Sequence, residues 1–143
     1  MPRVKILLPD KFLFSTSIPL RITDVNYGGH VGNDSILSLI HEARMQFLKE
    51  FGLTEMEFGS VSLIMSDVAI EFKNEIFYED RLNAFITITD INRVGFDMVY
   101  KLVKTNSEKE VLVAIAKTGM VCFDYAKKKI AAVPQQVIEL FMS

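Results

Sequence analysis

Apolar and polar positions alternate from residue 12 to 22, with Phe12, Phe14, Thr16, Ile18 and Leu20 on one face and Ser15 and Ser17 opposite. A period of two sends successive side chains to opposite sides of an extended chain, so this segment predicts a strand. Pro19 cannot donate to a ladder and moves the middle of that strand to an edge, a bulge or a bend. The period then changes. Over about residues 34 to 51, Ile36, Ile40, Ala43, Phe47 and Phe51 recur at helical spacing, and Leu37, Leu39 and Leu48 widen the stripe. Asn33, Asp34 or Ser35 is expected to cap the first turn, and Gly52 to stop the helix. So broad an apolar surface implies a helix largely enclosed by a sheet. Ser38, His41, Glu42, Met45 and Lys49 are left for the other side. Arg44 falls inside the apolar face, where a guanidinium must be paired or heavily hydrogen-bonded. It reads first as a structural anchor and second as a site residue.

A linker over 54–60, with a short helix as one option, leads to four strand candidates at 61–73, 81–91, 94–104 and 110–124. The third alternates cleanly, with Val94, Phe96, Met98, Tyr100 and Leu102 on one face. Residues 105–109 read as a hairpin loop. The fourth is apolar on both faces through its first half, as an interior strand requires. Pro134 is placed to open a closing helix that runs to Phe141. No repeat, low-complexity segment or boundary interrupts the chain, so residues 1–143 are expected to form one domain. Strand, long buried helix and four hairpin-connected strands predict an α+β architecture, an antiparallel sheet curled around one helix.

Composition sharpens this picture in a few places. The chain is 50% hydrophobic with mean hydropathy +0.25, and 11 Phe and 7 Met must be covered, which points to a second subunit. A net charge of -2 gives no electrostatic case for nucleic acid or an anionic membrane. The single cysteine, Cys122, excludes an intramolecular disulfide, suits a reducing compartment and reads as core. Pro9 and Asp10 break the first apolar run before it makes a signal peptide, and no run approaches the roughly 20 apolar residues of a spanning helix. A soluble cytoplasmic protein is expected. With 2 His and no cysteine pair, neither a metal site nor a cofactor is expected.

The candidate chemistry lies in Arg21-Ile-Thr-Asp-Val-Asn-Tyr-Gly-Gly-His-Val-Gly-Asn33. Asp24, Asn26 and His30 sit in a glycine-rich turn between strand and helix. By residue type alone they are ordinary turn formers. Their arrangement says more. Asp24, then Gly29-His30-Val31-Gly32-Asn33, then Ile40-His41-Glu42-Ala43-Arg44 on the helix, resembles the hotdog fold, and within it the 4-hydroxybenzoyl-CoA thioesterase-like family of acyl-CoA thioesterases. Weaker echoes follow at 72–81, at Arg93-Val94-Gly95 and at 119–124, and the resemblance covers roughly residues 14 to 134. Two positions depart from it: many relatives carry asparagine at Gly32, and many lack Asn26. The Asp-x-Asn pairing is similar to that of plant acyl-carrier-protein thioesterases and of hotdog hydratases. Tyr27 stands where the hydratase pattern has proline, and the histidine spacing differs by one.

The resemblance implies hydrolysis of an acyl-CoA or acyl-carrier-protein thioester in a homodimer or homotetramer whose sites lie at the subunit interface. Asp24 is expected to attack the carbonyl or deprotonate a water. The oxyanion would be held by backbone amides before the helix, Val31 foremost among His30, Val31 and Gly32. Asn26 would orient Asp24 or the water, and His30 would bond the turn or assist proton transfer. Gly29, Gly32 and Tyr27 are expected to border the substrate, with Gly28 also freeing the backbone. Glu42, Asp67 and Glu71 are secondary candidates, and Lys73, Arg81, Arg93 and Lys101 are possible partners for CoA phosphates. Two other readings stay open: an enoyl-thioester hydratase using Asp24 and His30, and a non-catalytic acyl-CoA-binding module.

Overall fold

The computed structural model describes residues 3–142. Strand β1 (Phe14–Ile18) leads into a 3-10 turn (Ile22–Asp24) and then helix α1 (Asn33–Glu50). Strands β2 (Ser62–Phe72), β3 (Arg81–Thr89), β4 (Gly95–Asn106), β5 (Lys109–Asp124) and β6 (Lys129–Ile130) follow, and helix α2 (Gln135–Met142) comes last. All pairings are antiparallel, in the order β1-β3-β4-β5-β2, with β6 joined to β5 off that path. The strand over 12–22 proves shorter than its alternation predicts. It ends at Ile18 because Pro19 cannot extend the ladder to β3. No helix forms over 54–60.

Helix α1 buries Ile36, Leu39, Ile40, Ala43, Phe47 and Leu48 in one core with inward residues of the sheet, among them Ile86, Met98, Leu102 and Ala116. Each large side chain removed from water contributes about 1.5–3 kcal/mol, so packing outweighs helix propensity here. The stripe is narrower than expected, since Leu37 is exposed. Gly32, not Asn33, Asp34 or Ser35, occupies the N-cap, and no side chain caps it. At the other end Phe51 is the C-cap, and Gly52 adopts φ 74, a left-handed conformation that suits glycine.

Arg44 is buried, as its place in the apolar stripe predicts. Its Nη1 donates to the Tyr100 hydroxyl at 3.2 Å and its Nε to Glu55 Oε2 at 3.4 Å. The Tyr100 hydroxyl lies 2.7 Å from Thr118 Oγ1, so the guanidinium is anchored to the middle of the sheet. Burial pushes the Tyr100 hydroxyl above its ordinary pKa, with Arg44 opposing, and keeps it a proton donor. Cys122 lies in the core, where burial pushes its thiol up to about 11.

One irregularity of the sheet matters for the site. Leu102 pairs with Ala114 and Val103 with Leu112, which leaves Val113 of β5 as a bulge. The freed Val113 carbonyl accepts the Lys73 and Asn74 amides at 2.8 and 3.2 Å, and Asn74 Nδ2 donates to the Leu112 carbonyl at 2.7 Å. The chain leaving β2 is thereby fixed against the face on which α1 begins.

Candidate active site

The glycine turn is closed by its own backbone. The Asn26 amide donates to the His30 carbonyl at 2.9 Å, and the Gly29 amide to the Asn26 carbonyl at 3.1 Å. Asn26 Oδ1 accepts the Gly28 amide at 2.9 Å, an Asx turn. Gly29 sits at φ 81, open to glycine and strained for most residues. A Cβ on Gly28 would stand 3.2 Å from the His30 ring, so glycine there makes room for the imidazole.

Asp24 is held at both carboxylate oxygens. Only 3% exposed, it accepts the Arg21 amide on Oδ2 at 2.8 Å and the Arg21 Nη2 on Oδ1 at 3.1 Å. The carboxylate caps the 3-10 turn and in return raises the pKa of the Arg21 guanidinium, through their hydrogen bond first. Its backbone carbonyl also accepts the Gly32 amide at 3.1 Å. Asp24 thus anchors the turn in this geometry, with both carboxylate oxygens engaged by Arg21. The Val31 amide, expected to hold the oxyanion, donates to the Ile76 carbonyl at 2.7 Å. Tyr27 is fully exposed.

A cavity of about 290 Å³ opens between the start of α1 and the connection from β2 to β3. His30, Asn33, Ile36, Phe72, Glu75 and Val113 line it among others. His30 Nδ1 lies 3.2 Å from the Val31 carbonyl, which assigns the proton to Nδ1 and leaves Nε2 as an acceptor. Nε2 is 3.9 Å from Glu75 Oε1. Lys104 fixes the opposite wall, since its Nζ donates to the Glu75 carbonyl at 2.6 Å and pairs with Asp80 at 3.6 Å. The Ser35 and Ile36 amides turn back to the Gly32 carbonyl, while those of Asn33 and Asp34 make no hydrogen bond among the described residues. They are the unsatisfied donors that every helix start presents, with the positive end of the helix dipole behind them. An imidazole, a neighbouring carboxylate and the start of α1 at Asn33 thus border one partly apolar cavity.

Of the expected site residues, His30 and Gly32 stay together at this helix start, and Gly29 and Asn26 shape the turn that holds it. Glu42 is exposed on the outer side of α1 and accepts from Gln46 Nε2 at 2.6 Å. Asp67 is exposed and pairs with Lys117 at 3.4 Å. Glu71 accepts the Ile6 amide at 2.7 Å, the main reason its carboxyl is held below the usual range. Glu75, Phe72 and Val113 carried no local signal. They reach the cavity through strand pairing and a bulge, neither of which a residue type announces.

A family model described as the thioesterase-like superfamily matches residues 20–141. A 1,4-dihydroxy-2-naphthoyl-CoA hydrolase from Microcystis aeruginosa is 28% identical over 119 residues, covering 81% of this chain and 83% of that protein. The crystal structure of a 1,4-dihydroxy-2-naphthoyl-CoA thioesterase from Synechocystis superposes with TM-score 0.80 at 25% identity, covering 91% of this chain and 96% of its own. That of 4-hydroxybenzoyl-CoA thioesterase from Pseudomonas sp. strain CBS-3 gives TM-score 0.78 at 18% identity over 89% of this chain and 97% of its own, a likeness of fold. The hotdog architecture that the resemblance implies is the architecture found.

Proposed function

We propose, because the chain belongs to the thioesterase-like superfamily, that it hydrolyses an acyl-CoA thioester with a compact acyl group in the cavity beside His30. The observation that carries the reading is the position of His30, which lines a partly apolar cavity at an unsatisfied helix start and has its Nδ1 engaged by the Val31 carbonyl. In this reading His30 Nε2 takes a proton from water as the oxygen attacks the carbonyl carbon. Negative charge passes to the carbonyl oxygen, and the Asn33 amide stabilises it with the help of the helix dipole. Collapse of the tetrahedral intermediate breaks the carbon–sulfur bond, and the imidazolium returns its proton to the departing thiolate. Glu75 supports the imidazolium; Ile36, Phe72, Ile76 and Val113 receive the acyl group and keep out bulk water. Asp24 and Asn26 hold the loop in shape and act through His30.

The test is thiol release from a series of acyl-CoA thioesters by the purified protein. Single-ring and short acyl groups are expected to turn over fastest, since about 290 Å³ is at the small end of ligand cavities. Hydration of an enoyl-CoA with no thiol released would replace the hydrolase reading with the hydratase one, and tight binding with neither reaction would leave a binding module.

A second copy of the chain is part of the proposal. Among the described residues strand β2 pairs only with β5, and Met65, Val68 and Phe72 are exposed along it. An apolar edge strand of this kind is a template for pairing, and Phe72 also borders the cavity, which would bring a partner close to the site. Val68→Asp is expected to halve the mass in solution measured by light scattering, and a wild-type protein already monomeric at micromolar concentration would remove the idea.

A further inference from the structure

Strand pairing sets Ser15, Phe85, Lys101, Ile115 and Glu71 in one row across β1, β3, β4, β5 and β2. The adjoining row, Phe14, Ile86, Tyr100, Ala116 and Ile70, packs on the core around α1, so this one faces the other way. Ile115 should then meet water, yet it is only 7% exposed, and Val99 and Val103 on the same face are buried too. None of the three belongs to the core cluster. The chain before β1 supplies the cover. The Ile6 amide donates to Glu71 Oε2 at 2.7 Å at one end of the row, and the Phe12 ring stands 6.0 Å from that of Phe85 toward the other. Three strand spacings, about 14 Å, separate Glu71 from Phe85, and six extended residues reach about 20 Å. The segment from Ile6 to Phe12 therefore crosses the strands over Ile115, with slack for a bend at Pro9.

This crossing is lightly held. Among the described residues, the Ile6 amide makes the one hydrogen bond from residues 3–11 to the rest of the molecule. Cavities of about 700 and 430 Å³ border its two ends, at Phe85 and at Glu71, where close packing would leave little space. Both of its footholds adjoin the His30 cavity. Glu71 precedes Phe72 and Lys73, and Ile115 lies two residues beyond Val113, all three being cavity wall. We propose that residues 3–12 form a strap that opens as a unit while the core stays folded, and that the closed strap braces the β2 side of the His30 cavity. A segment with so few contacts belongs to the least stable part of a fold, the part that opens locally. Closed, it fixes Glu71, and through the Lys73 ammonium at 3.3 Å the chain leaving β2. Neither part of the proposal depends on turnover at His30.

The experiment places a reporter thiol under the strap with Ile115→Cys. The native Cys122, buried in the core with its thiol pushed up to about 11, is the control for global opening. Phe12→Ala then loosens the strap at the end far from the cavity. A maleimide is expected to label the introduced thiol about tenfold faster in that background, the effect of losing one aromatic contact with its burial, while Cys122 labels no faster. Amide hydrogen exchange reads the cavity. The Lys73 and Asn74 amides, bonded to the Val113 carbonyl at the opposite end of the row, should exchange several-fold faster, with the ladder between β3 and β4 unchanged. Glu71→Ala, which cuts the hydrogen bond at the near end, should expose the thiol to a similar degree. Equal labelling with and without Phe12→Ala overturns the strap, and so does parallel acceleration at Cys122, which would mean that the whole fold opens. Unchanged exchange at Lys73 and Asn74 overturns the brace.

Discussion

Replacing His30 by alanine is expected to lower kcat for acyl-CoA hydrolysis by about 10²–10⁴-fold, the range over which a positioned general base contributes. The cavity wall would survive the change, because the turn is held by backbone bonds from Asn26 and Gly29 and by the Val31 to Ile76 bond, none of which uses the imidazole. Folding and KM should therefore stay near wild type while kcat falls, and circular dichroism with steady-state thiol release would show it. His30→Gln keeps a polar group in the space that Gly28 leaves free, but it cannot cycle a proton, so it should be as inactive as alanine. Asp24 gives the contrast. Asp24→Ala removes the acceptor of the Arg21 amide and is expected to cost about 1–2 kcal/mol, as the loss of a capping side chain does. Its melting temperature should drop while the folded fraction retains much of its turnover. An Asp24→Ala protein that melts like wild type and turns over nothing would restore Asp24 as the attacking group and sink the assignment of His30.

The largest loss of stability is expected from Phe47→Ala, about 3–5 kcal/mol. Phe47 is fully buried, with ring centroids 6.0 Å from Phe14, 5.0 Å from Phe51 and 5.6 Å from Phe141. Phe141 continues the cluster to Phe96 at 5.9 Å and Phe58 at 6.1 Å. Phe47 thus joins β1, α1 and α2, and through Phe141 the centre of the sheet, and its removal leaves a hole bounded by rings that cannot all move inward at once. For a chain of this length the cost is expected to lower the melting temperature by about 10 °C or more. Leu37→Ala, on the exposed face of the same helix, should shift it by no more than a few degrees. Equal shifts for the two variants in a thermal melt would show that the aromatic cluster is not what holds the helix to the sheet.

Much of this architecture is legible in the chain. The helical stripe ending at Gly52, the clean alternation of Val94 to Leu102 and the hairpin at 105–109 are local signals, and each has its counterpart in α1, β4 and the turn into β5. Arg44 could be read as an anchor because an unpaired guanidinium has no place on an apolar face. What escaped depends on contacts between distant segments. Val31 looked like a free amide donor because nothing near it in the chain takes the hydrogen bond; Ile76 does, from the far side of β2. Asp24 looked like a free carboxylate because a 3-10 turn of three residues leaves no periodicity to detect. Glu75 enters the site only because the bulge at Val113 fixes the chain that carries it.

Strand order has a consequence for how the molecule comes into being. β3, β4 and β5 pair as successive hairpins, whose loops close at little entropic cost, whereas β2 must wait for β5, with β3 and β4 between them in the chain. One wall of the His30 cavity depends on that late event, since the chain leaving β2 carries Glu75 and is held by the Val113 carbonyl. A folding intermediate with β3 to β5 in place would have most of its sheet and none of the His30 cavity. Regain of hydrolysis after dilution from denaturant then follows the last docking step, and the enzyme reports on the completion of its own folding.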